Sequence, residues 1–190
     1  MGWTSEMVAQ HFNVSREKQD DYALRSHERA TRAVESGIFA SEILPLQIGD
    51  KLFDKDDTVR PGVTRESLAT LKPAFADWGT ASTTAGNASG LGDGAAILVI
   101  TTRANAEKEG LEVVAKWGGA TVVGVEPRYM GVGPAVAIPR LLEANGLSKQ
   151  DVNVWEVGLG PMFTFDIVLL GSFPDQRGLC QPIRLLHRAT

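Results

Sequence analysis

The segment 95–101 (Ala-Ala-Ile-Leu-Val-Ile-Thr) constrains the fold of this chain more than any other. A continuous apolar run of this length is typical of a β-strand that is buried on both faces, as in a sheet with helices on each side. Helical patterns follow at 103–109 and 134–145, and strand patterns at 112–125 and 152–155. Because strands and helices alternate, the sequence predicts an α/β fold with a layered core in the order β-α-β-α-β.

Residues 1–80 carry a helical pattern instead, and each predicted helix follows a residue that can cap it. Ser and Thr side chains accept hydrogen bonds from the free backbone N–H groups of a first helical turn. The predicted helices and their caps are 5–12 after Thr4, 16–36 after Ser15 and 65–71 after Thr64. Gly37 would end the second helix. Residues 42–48 are predicted as a short edge strand, because Pro45 cannot donate to a sheet ladder.

The second predicted helix, 16–36, has two faces. Small or apolar residues spaced three or four apart form the face that should pack: Tyr22, Ala23, Ser26, Ala30, Ala33 and Gly37. Arg16 belongs to the opposite, mixed-charge side, which should be solvated. Asp20 and Asp21 are likewise expected in solvent. Glu6 is expected near the positive end of the first helix.

Composition and charge exclude several classes of function. One cysteine, Cys180, and three histidines without metal-ligand spacing exclude a disulfide framework and a cysteine-rich metal site. Cys180 has no evident activating base, so it is not assigned as a nucleophile. A net charge of −4 without any basic block argues against a nucleic acid or membrane partner. No apolar run is long enough for a membrane helix, and no signal-peptide pattern is present, so we expect an intracellular protein.

The segment 85–94 (Ala-Gly-Asn-Ala-Ser-Gly-Leu-Gly-Asp-Gly) is the most informative loop. Its glycines would let the backbone approach a ligand closely, but they would equally suit a tight connection with positive φ angles. A nucleotide-phosphate loop is a poor match, because no G-x-G-x-x-G opens a helix and no Gly-Lys-Ser/Thr follows. From the residues alone, a ligand-approach loop and a structural turn both remain open.

A second glycine-containing loop, 129–134 (Tyr-Met-Gly-Val-Gly-Pro), joins a predicted strand to a predicted helix. Free N–H groups at such a junction favour polar ligands. Met130 is a flexible apolar side chain that could line a channel for an acyl or pantetheine group. Simple packing is the alternative for this methionine.

Eight segments, taken in order, resemble the conserved-motif pattern of one enzyme family. They are 1–8, 15–20, 42–45, 60–68, 71–75, 84–90, 93–96 and 125–134. Their order and spacing over residues 1–156 resemble those of the thiolases. The Trp-Thr-Ser start at 3–5 is more similar to the degradative 3-ketoacyl-CoA thiolases of the peroxisomal type than to the biosynthetic acetoacetyl-CoA thiolases.

The resemblance implies a partial thiolase fold. Residues 1–80 would form a helical loop domain. Residues 81–156 would form part of the α/β core, namely the end of its N-terminal half and the start of its C-terminal half. Residues 157–190 would be a divergent tail.

The resemblance also implies an activity. Thiolases are acetyl-CoA C-acyltransferases that cleave 3-ketoacyl-CoA with free CoA in fatty acid β-oxidation. A cysteine thiolate first takes the acyl group, and the CoA sulfur then accepts it. Coenzyme A is a substrate here, and no separate cofactor is implied. Family members are homodimers or homotetramers, and the peroxisomal type implies a peroxisomal location.

Seven residues of the chain match CoA-binding positions of the family. Arg60 and Ser67 match positions near the nucleotide end of CoA. The positions along the pantetheine channel are matched by Phe75, Ala85, Ser89 and Gly90, and Ser89 could hydrogen-bond a pantetheine amide. Met130 matches a residue that lines the channel near the reacting end.

No catalytic residue can be carried over from the family. The family nucleophile precedes the Met-Gly start, and the Asn-Glu-Ala-Phe-Ala segment expected after Trp155-Glu156 is replaced by 157–161. The histidine motif and the motif of the second cysteine are also missing from these residues. We therefore expect no thiolysis, and weak or no CoA binding, from the 190 residues alone. Segment 95–101 would then expose apolar faces and unpaired edges.

Other interpretations remain open from the sequence. The chain could be a non-catalytic CoA-binding or thiolase-interacting fragment, an acetoacetyl-CoA thiolase, or a product that does not fold. Residues 157–190 are hypothesised to be read from unspliced or shifted sequence, because a valine codon such as that of Val157 begins with the GT of a splice donor. Transcript sequencing across that codon tests the hypothesis.

Overall fold

A computed structural model describes residues 1–156 of the chain. Its helices are α1 (Gly2–His11), α2 (Arg16–Glu35), α3 (Arg65–Ala69), α4 (Arg103–Lys108) and α5 (Gly133–Ala144). Its strands are β1 (Leu46–Ile48) and β2 (Lys51–Phe53). Two 3₁₀ segments, Pro127–Val132 and Lys149–Asp151, lie before and after α5. None of the helices in residues 1–156 is long and apolar enough to cross a membrane.

The predicted helix ends are confirmed where a cap or a glycine defines them. The Ser15 side chain accepts a hydrogen bond from the backbone N–H of Lys18 at the start of α2. Thr64 and Ser67 form a reciprocal capping box at the start of α3. Glycines with positive φ follow α2, α4 and α5, namely Gly37 (71°), Gly110 (65°) and Gly146 (65°). Short-range chemistry therefore decides these boundaries.

Helix α1 differs from the prediction at its start. It begins at Gly2 rather than Ser5, and Met1 is its cap residue. Thr4 lies inside the first turn, where its hydroxyl donates to the Met1 carbonyl at 2.6 Å. The helix buries Glu6, Val8 and Ala9. Glu6, predicted only to lie near the positive end of this helix, is thus one of the most deeply buried side chains of the described residues.

The predicted strand 42–48 is only partly correct. The strand β1 starts after Pro45 and pairs antiparallel with β2, so that Leu46 lies opposite Phe53. Gly49 (φ 58°) begins the tight turn between the two strands. The second strand of this hairpin was not predicted.

The apolar core of the described residues is small and centres on α1. Val8, Ala9 and Val14 are buried together, and Tyr129 and Val132 pack against them. Helix α1 therefore rests on the 3₁₀ segment Pro127–Val132, which belongs to the second predicted loop. Elsewhere α2 packs against α3, where Leu68 is buried.

The small-residue face of α2 is confirmed only near the start of the helix. Ala23 is fully buried, whereas Tyr22, Ala30 and Ala33 are half-buried and Ser26 is exposed. The other buried residues of α2 are polar, Gln19 and Asp20. The contact of α2 with the rest of the described chain is thus more polar than its spacing predicted.

The three predicted strands at 95–101, 112–125 and 152–155 do not form within the described residues. Ile97 and Val99 are 96% and 88% exposed, so the prediction that this segment is buried on both faces is wrong. The physical reason is that no neighbouring strand in residues 1–156 supplies ladder hydrogen bonds or covers either face. The expectation of exposed apolar faces without flanking strands is confirmed.

Candidate functional site

Residues 80–90 alternate between anchored and exposed positions. Ser82, Thr83, Thr84 and Asn87 are buried, with no more than 2% of any of them exposed. Ala85, Ser89 and Gly90 are exposed. Ser82, Thr83 and Asn87 hydrogen-bond to α1 or α2, and Thr84 hydrogen-bonds within the loop. The three exposed residues are predicted CoA-binding residues. We call residues 80–90 the anchored loop.

Glu6 of α1 provides the first anchor. Its carboxylate accepts hydrogen bonds from the backbone N–H of Ser82 at 3.0 Å and of Thr83 at 2.8 Å. It also accepts from the hydroxyls of Thr80 at 2.8 Å and Ser82 at 3.1 Å. The neighbouring Ser5 hydroxyl lies 2.8 Å from that of Thr83. One turn of α1 therefore fixes the start of the anchored loop.

This environment lowers the pKa of Glu6. Burial raises the pKa of the carboxyl, but the hydrogen bonds from Thr83, Ser82 and Thr80 together outweigh burial and hold the pKa below its usual value. Charged Glu6 is therefore the form that the fold requires.

A pH dependence of stability follows from this shift. Because the folded-state pKa of Glu6 is depressed, its contribution to the free energy of unfolding is present above the unfolded value of about 4.3 and is lost as pH falls through the folded pKa. Urea unfolding of the wild type should show stability decreasing as the pH is lowered from about 4.5. In Glu6→Gln that part of the decrease should be missing. An unchanged slope in the variant would contradict the prediction.

Asp20 and Asn87 provide the second anchor. The Asn87 side-chain amide donates to Asp20 Oδ1 at 2.9 Å and to the Ser82 carbonyl at 3.1 Å. Its carbonyl oxygen accepts from the backbone N–H of Thr84 at 2.7 Å. Gln19, also on α2, donates to the Ser82 hydroxyl at 2.9 Å. The predicted solvation of Asp20 is therefore wrong, because its carboxylate is needed inside as an acceptor.

Arg16 holds Asp20 from the other side. Its Nε donates to Asp20 Oδ2 at 2.7 Å, and one Nη donates to the carbonyls of Leu68 at 2.7 Å and Leu71 at 3.2 Å. The prediction that Arg16 lies on a solvated face is wrong, since a guanidinium can satisfy a buried carboxylate and two backbone carbonyls at and just after the end of α3 together. Asp21 does lie nearer solvent, paired with Arg65 at 2.5 Å.

The glycines of segment 85–94 do not require positive φ, so the tight-turn interpretation in that form is wrong. Gly86 is instead required by close approach, because a Cβ there would lie 2.5 Å from Leu71 Cδ1 and 2.6 Å from Leu68 Cδ2. Gly92 and Gly94 face open space, with no atom within 4 Å of an added Cβ. The start of the segment, at Gly86, therefore packs against α3, whereas no atom of the described residues crowds its end at Gly92 and Gly94.

Three predicted site residues lie outside the anchored loop in residues 1–80. Arg60 is exposed and donates to the carbonyls of Asp57 and Val59. Ser67 is exposed and occupied in the capping box of α3. The ring of Phe75 stacks on Trp78 with centroids 5.1 Å apart and covers Gly2, where an added Cβ would come within 2.1 Å of the ring.

Among these positions, Gly90 lies near the segment that carries Arg60. An added Cβ on Gly90 would lie 3.8 Å from Thr58, two residues before Arg60. Ala85 and Ser89 project from the same anchored loop. Met130 is 43% exposed on the 3₁₀ segment that packs beneath α1. Helix α1 therefore touches both predicted glycine loops, through Glu6 and through Val8 with Ala9.

Sequence reasoning missed the residues that anchor the loop. Glu6, Gln19, Asp20 and Asn87 are polar residues, and each forms at least one hydrogen bond to a residue 60 or more positions away. Only Asn87 gave a local signal, because it lies within the Thr-Ala-Gly-Asn-Ala-Ser-Gly segment. Within residues 1–156, no three His, Cys, Asp or Glu side chains are grouped so that they could hold a metal ion.

Two family models match consecutive parts of the chain. The thiolase N-terminal domain matches residues 1–104, and the thiolase C-terminal domain matches residues 111–161. The chain belongs to the thiolase family. The resemblance carried by the eight segments is thereby confirmed, and the match extends slightly beyond Glu156, where the resemblance was expected to stop.

Relatives of known function are similar over most of this thiolase chain. The peroxisomal 3-ketoacyl-CoA thiolase B of Candida tropicalis is 44% identical over 166 residues, which is 83% of this chain and 40% of that protein. The chain therefore spans less than half the length of this relative. The predicted similarity to the peroxisomal 3-ketoacyl-CoA type is confirmed.

Solved thiolase structures establish the fold class. The Bacillus anthracis acetyl-CoA acetyltransferase matches with a TM-score of 0.84 at 39% identity, covering 94% of this chain and 46% of that one. The dimeric peroxisomal thiolase of Saccharomyces cerevisiae matches with a TM-score of 0.81 at 36% identity, with the same coverage. The partial, thiolase-like α/β fold class is thus confirmed, although the described residues do not form the sheet themselves.

Some predictions remain open within this thiolase chain. The division into a loop domain over 1–80 and a core over 81–156 stays a prediction, as do the seven CoA-binding residues. The proposals about the tail 157–190, including Cys180 and the codon of Val157, lie outside the described residues.

Proposed function

We propose that the chain is part of a degradative thiolase that cleaves 3-ketoacyl-CoA with free CoA in peroxisomal fatty acid β-oxidation. The products are acetyl-CoA and a shortened acyl-CoA. The observation that carries the proposal is the anchored loop, whose buried residues are held by α1 and α2 while Ala85, Ser89 and Gly90 stay exposed. The similarity to peroxisomal 3-ketoacyl-CoA thiolases supports the reaction and the location.

The residues of the chain have binding roles in this proposal. Exposed Ser89 offers a hydroxyl to a pantetheine amide, and exposed Gly90 leaves the backbone accessible to the pantetheine arm. Arg60 supplies a cation for the phosphates at the nucleotide end. Met130 supplies an adaptable apolar surface for the acyl end. Phe75 adds an aromatic wall beside Gly2.

The covalent step belongs to residues outside this set. In the family reaction a cysteine thiolate attacks the 3-keto carbon, the bond between this carbon and Cα breaks, and the departing enolate of acetyl-CoA takes up a proton. The thiol of a second CoA then gives its proton to a base and attacks the acyl-cysteine thioester, which forms the shortened acyl-CoA and releases the cysteine thiolate. The described residues offer no activated nucleophile, so the 190-residue polypeptide should bind CoA weakly and should not turn over 3-ketoacyl-CoA. Binding by these residues would orient the thioester. The catalytic groups would come from the complete subunit, which assembles as a homodimer or homotetramer in the family.

A titration with the two halves of CoA tests the binding roles. Pantetheine and adenosine 3′,5′-bisphosphate would be added separately, at up to millimolar concentration, to the ¹⁵N-labelled chain. Pantetheine should shift the amide resonances of Ser89 and Gly90, and the nucleotide should shift those near Arg60 and Ser67. Affinities of about 1 mM are expected, equivalent to about 4 kcal/mol.

Ser89→Ala tests the role of the Ser89 hydroxyl in this titration, with the response to the nucleotide as the internal control. It should weaken the response to pantetheine and leave the response to the nucleotide unchanged. Neither half shifting its segment, or both halves shifting residues at random, would contradict the proposal. Thiolysis by the chain alone would contradict the assignment of the covalent step to other residues.

An acetoacetyl-CoA thiolase is the second candidate. It is favoured by the similarity to the Bacillus anthracis acetyl-CoA acetyltransferase. Acetoacetyl-CoA and a long-chain 3-ketoacyl-CoA, titrated in the same way, separate the two candidates. Tighter binding of the long-chain compound supports the degradative function, and equal binding supports the second candidate.

A further inference from the structure

The side chain of Asn87, in the middle of the anchored loop, forms three hydrogen bonds to other residues. Its two side-chain groups reach three places: the Asp20 carboxylate on α2, the Ser82 carbonyl at the start of the anchored loop, and the Thr84 backbone N–H. Asn87 itself has no measurable exposure to solvent. Its side chain therefore closes the turn 84–87 from inside.

The orientation of this amide is set from α2. Asn and Gln amides can turn over, and only their partners decide which end faces where. Asp20 presents a carboxylate oxygen, which accepts only, so the nitrogen end of Asn87 must face it. The oxygen end then points to Thr84 N–H. The second oxygen of Asp20 is occupied by Arg16, which fixes the carboxylate in turn.

The consequence of this chain of contacts lies at the exposed side of the loop. Gly86 packs against Leu68 and Leu71, and Asn87 is locked to Asp20, so the backbone is held in place just before the exposed residues Ser89 and Gly90. Ser89 and Gly90 lie only two and three residues beyond the lock.

We propose that Asn87 is the positioning residue of the anchored loop, and that Asp20, held by Arg16, orients it so that Ser89 and Gly90 meet the pantetheine arm of CoA. This inference rests on the proposed function for its ligand. It goes beyond that function in assigning the geometry of the binding loop to a buried triad, Arg16–Asp20–Asn87, that does not touch the ligand.

The test compares Asp20→Asn with Asp21→Asn, which make the same chemical change at adjacent residues. In Asp20→Asn one carboxylate oxygen is replaced by an NH2 group. Either the Asn87 amide or the Arg16 guanidinium then faces a donor where it had an acceptor. Asp21 pairs with the exposed Arg65 among the described residues and serves as the control. The first readout is the side-chain amide resonance of Asn87 in ¹H–¹⁵N spectra. It should move in Asp20→Asn and stay in place in Asp21→Asn.

The second readout is a pantetheine titration of the same samples. Loss of one charge-assisted hydrogen bond should weaken the affinity about tenfold in Asp20→Asn. Asp21→Asn should match the wild type. If Asp20→Asn gives a poorly dispersed spectrum, Arg16→Lys keeps both Asp20 and Asn87 and should weaken the affinity about twofold, with the Asn87 resonance shifted in the same direction.

The outcomes separate this inference from the proposed function. Wild type that responds to pantetheine, with Asp20→Asn behaving like Asp21→Asn, overturns the inference and leaves the proposed function standing. An Asn87 resonance that moves without any change in affinity also overturns it. Wild type that does not respond to millimolar pantetheine overturns the binding site itself.

Discussion

Glu6→Ala should lower the free energy of unfolding by about 3 kcal/mol or more, because two buried backbone N–H groups lose the acceptor that they have within residues 1–156. These groups belong to Ser82 and Thr83, and each costs about 1–3 kcal/mol when left unsatisfied in the interior. The hydroxyls of Thr80 and Ser82 lose the same acceptor. Urea unfolding followed by far-UV circular dichroism measures the change.

Two further variants serve as controls for Glu6→Ala. Glu6→Gln keeps one acceptor oxygen of the same shape, so it should be less destabilising than alanine. Glu17→Ala removes an exposed acidic residue from the first turn of α2 and should change stability by less than about 1 kcal/mol. A Glu6→Ala effect no larger than that of Glu17→Ala would show that the carboxylate is not the anchor of the loop.

Gly79→Ala should destabilise the chain to a similar extent for a steric reason. Gly79 has a φ of 53°, which is unfavourable for alanine by about 1 kcal/mol. In addition, an added Cβ would lie 2.5 Å from Glu6 Cβ and 3.1 Å from the Glu6 backbone. Overpacking of this kind costs about 1–3 kcal/mol. Because the contact includes main-chain atoms of α1, the clash cannot be relieved by a rotamer change.

Gly62→Ala is the matched control, since it differs from Gly79→Ala only in its surroundings. Gly62 has a φ of 74°, and no atom lies within 4 Å of an added Cβ. Gly62→Ala should lower the free energy of unfolding by about 1 kcal/mol, which is the cost of the positive φ for alanine without any steric clash. Equal unfolding free energies for the two variants would show that α1 can move away from Gly79, which would contradict the tight packing of α1 on the anchored loop.

Local chemistry made the helices of this thiolase chain predictable. Ser15 and Thr64 cap their helices as expected, and Gly37, Gly110 and Gly146 end theirs. Such signals act over three or four residues, so a sequence carries them in full. Helix α1 begins before its predicted start: Thr4, a suitable cap by type, lies inside the first turn and donates to the Met1 carbonyl, and Gly2 packs against the Phe75 ring.

The candidate site was predictable only from the motif segments. Ala85, Ser89 and Gly90 came from the resemblance, and their exposure on the loop agrees with a binding role that stays a prediction. Asp20 is predicted in solvent because charged residues in helices usually are, and Glu6 is placed only near the positive end of its helix. The loop residues that hydrogen-bond to Glu6 and Asp20 lie 67 to 77 positions away along the chain, and no periodicity reports such a distance.

The sequence by itself determined the family of this chain, the position of its helices and the location of its glycine loops. These features depend on residue type and on neighbours a few positions away. The tertiary structure alone decided which polar side chains are buried, because burying Glu6, Asp20 or Asn87 is favourable only when distant donors and acceptors meet them. It also decided that segment 95–101 stays uncovered within the described residues, because an apolar run becomes a buried strand only where other strands lie beside it.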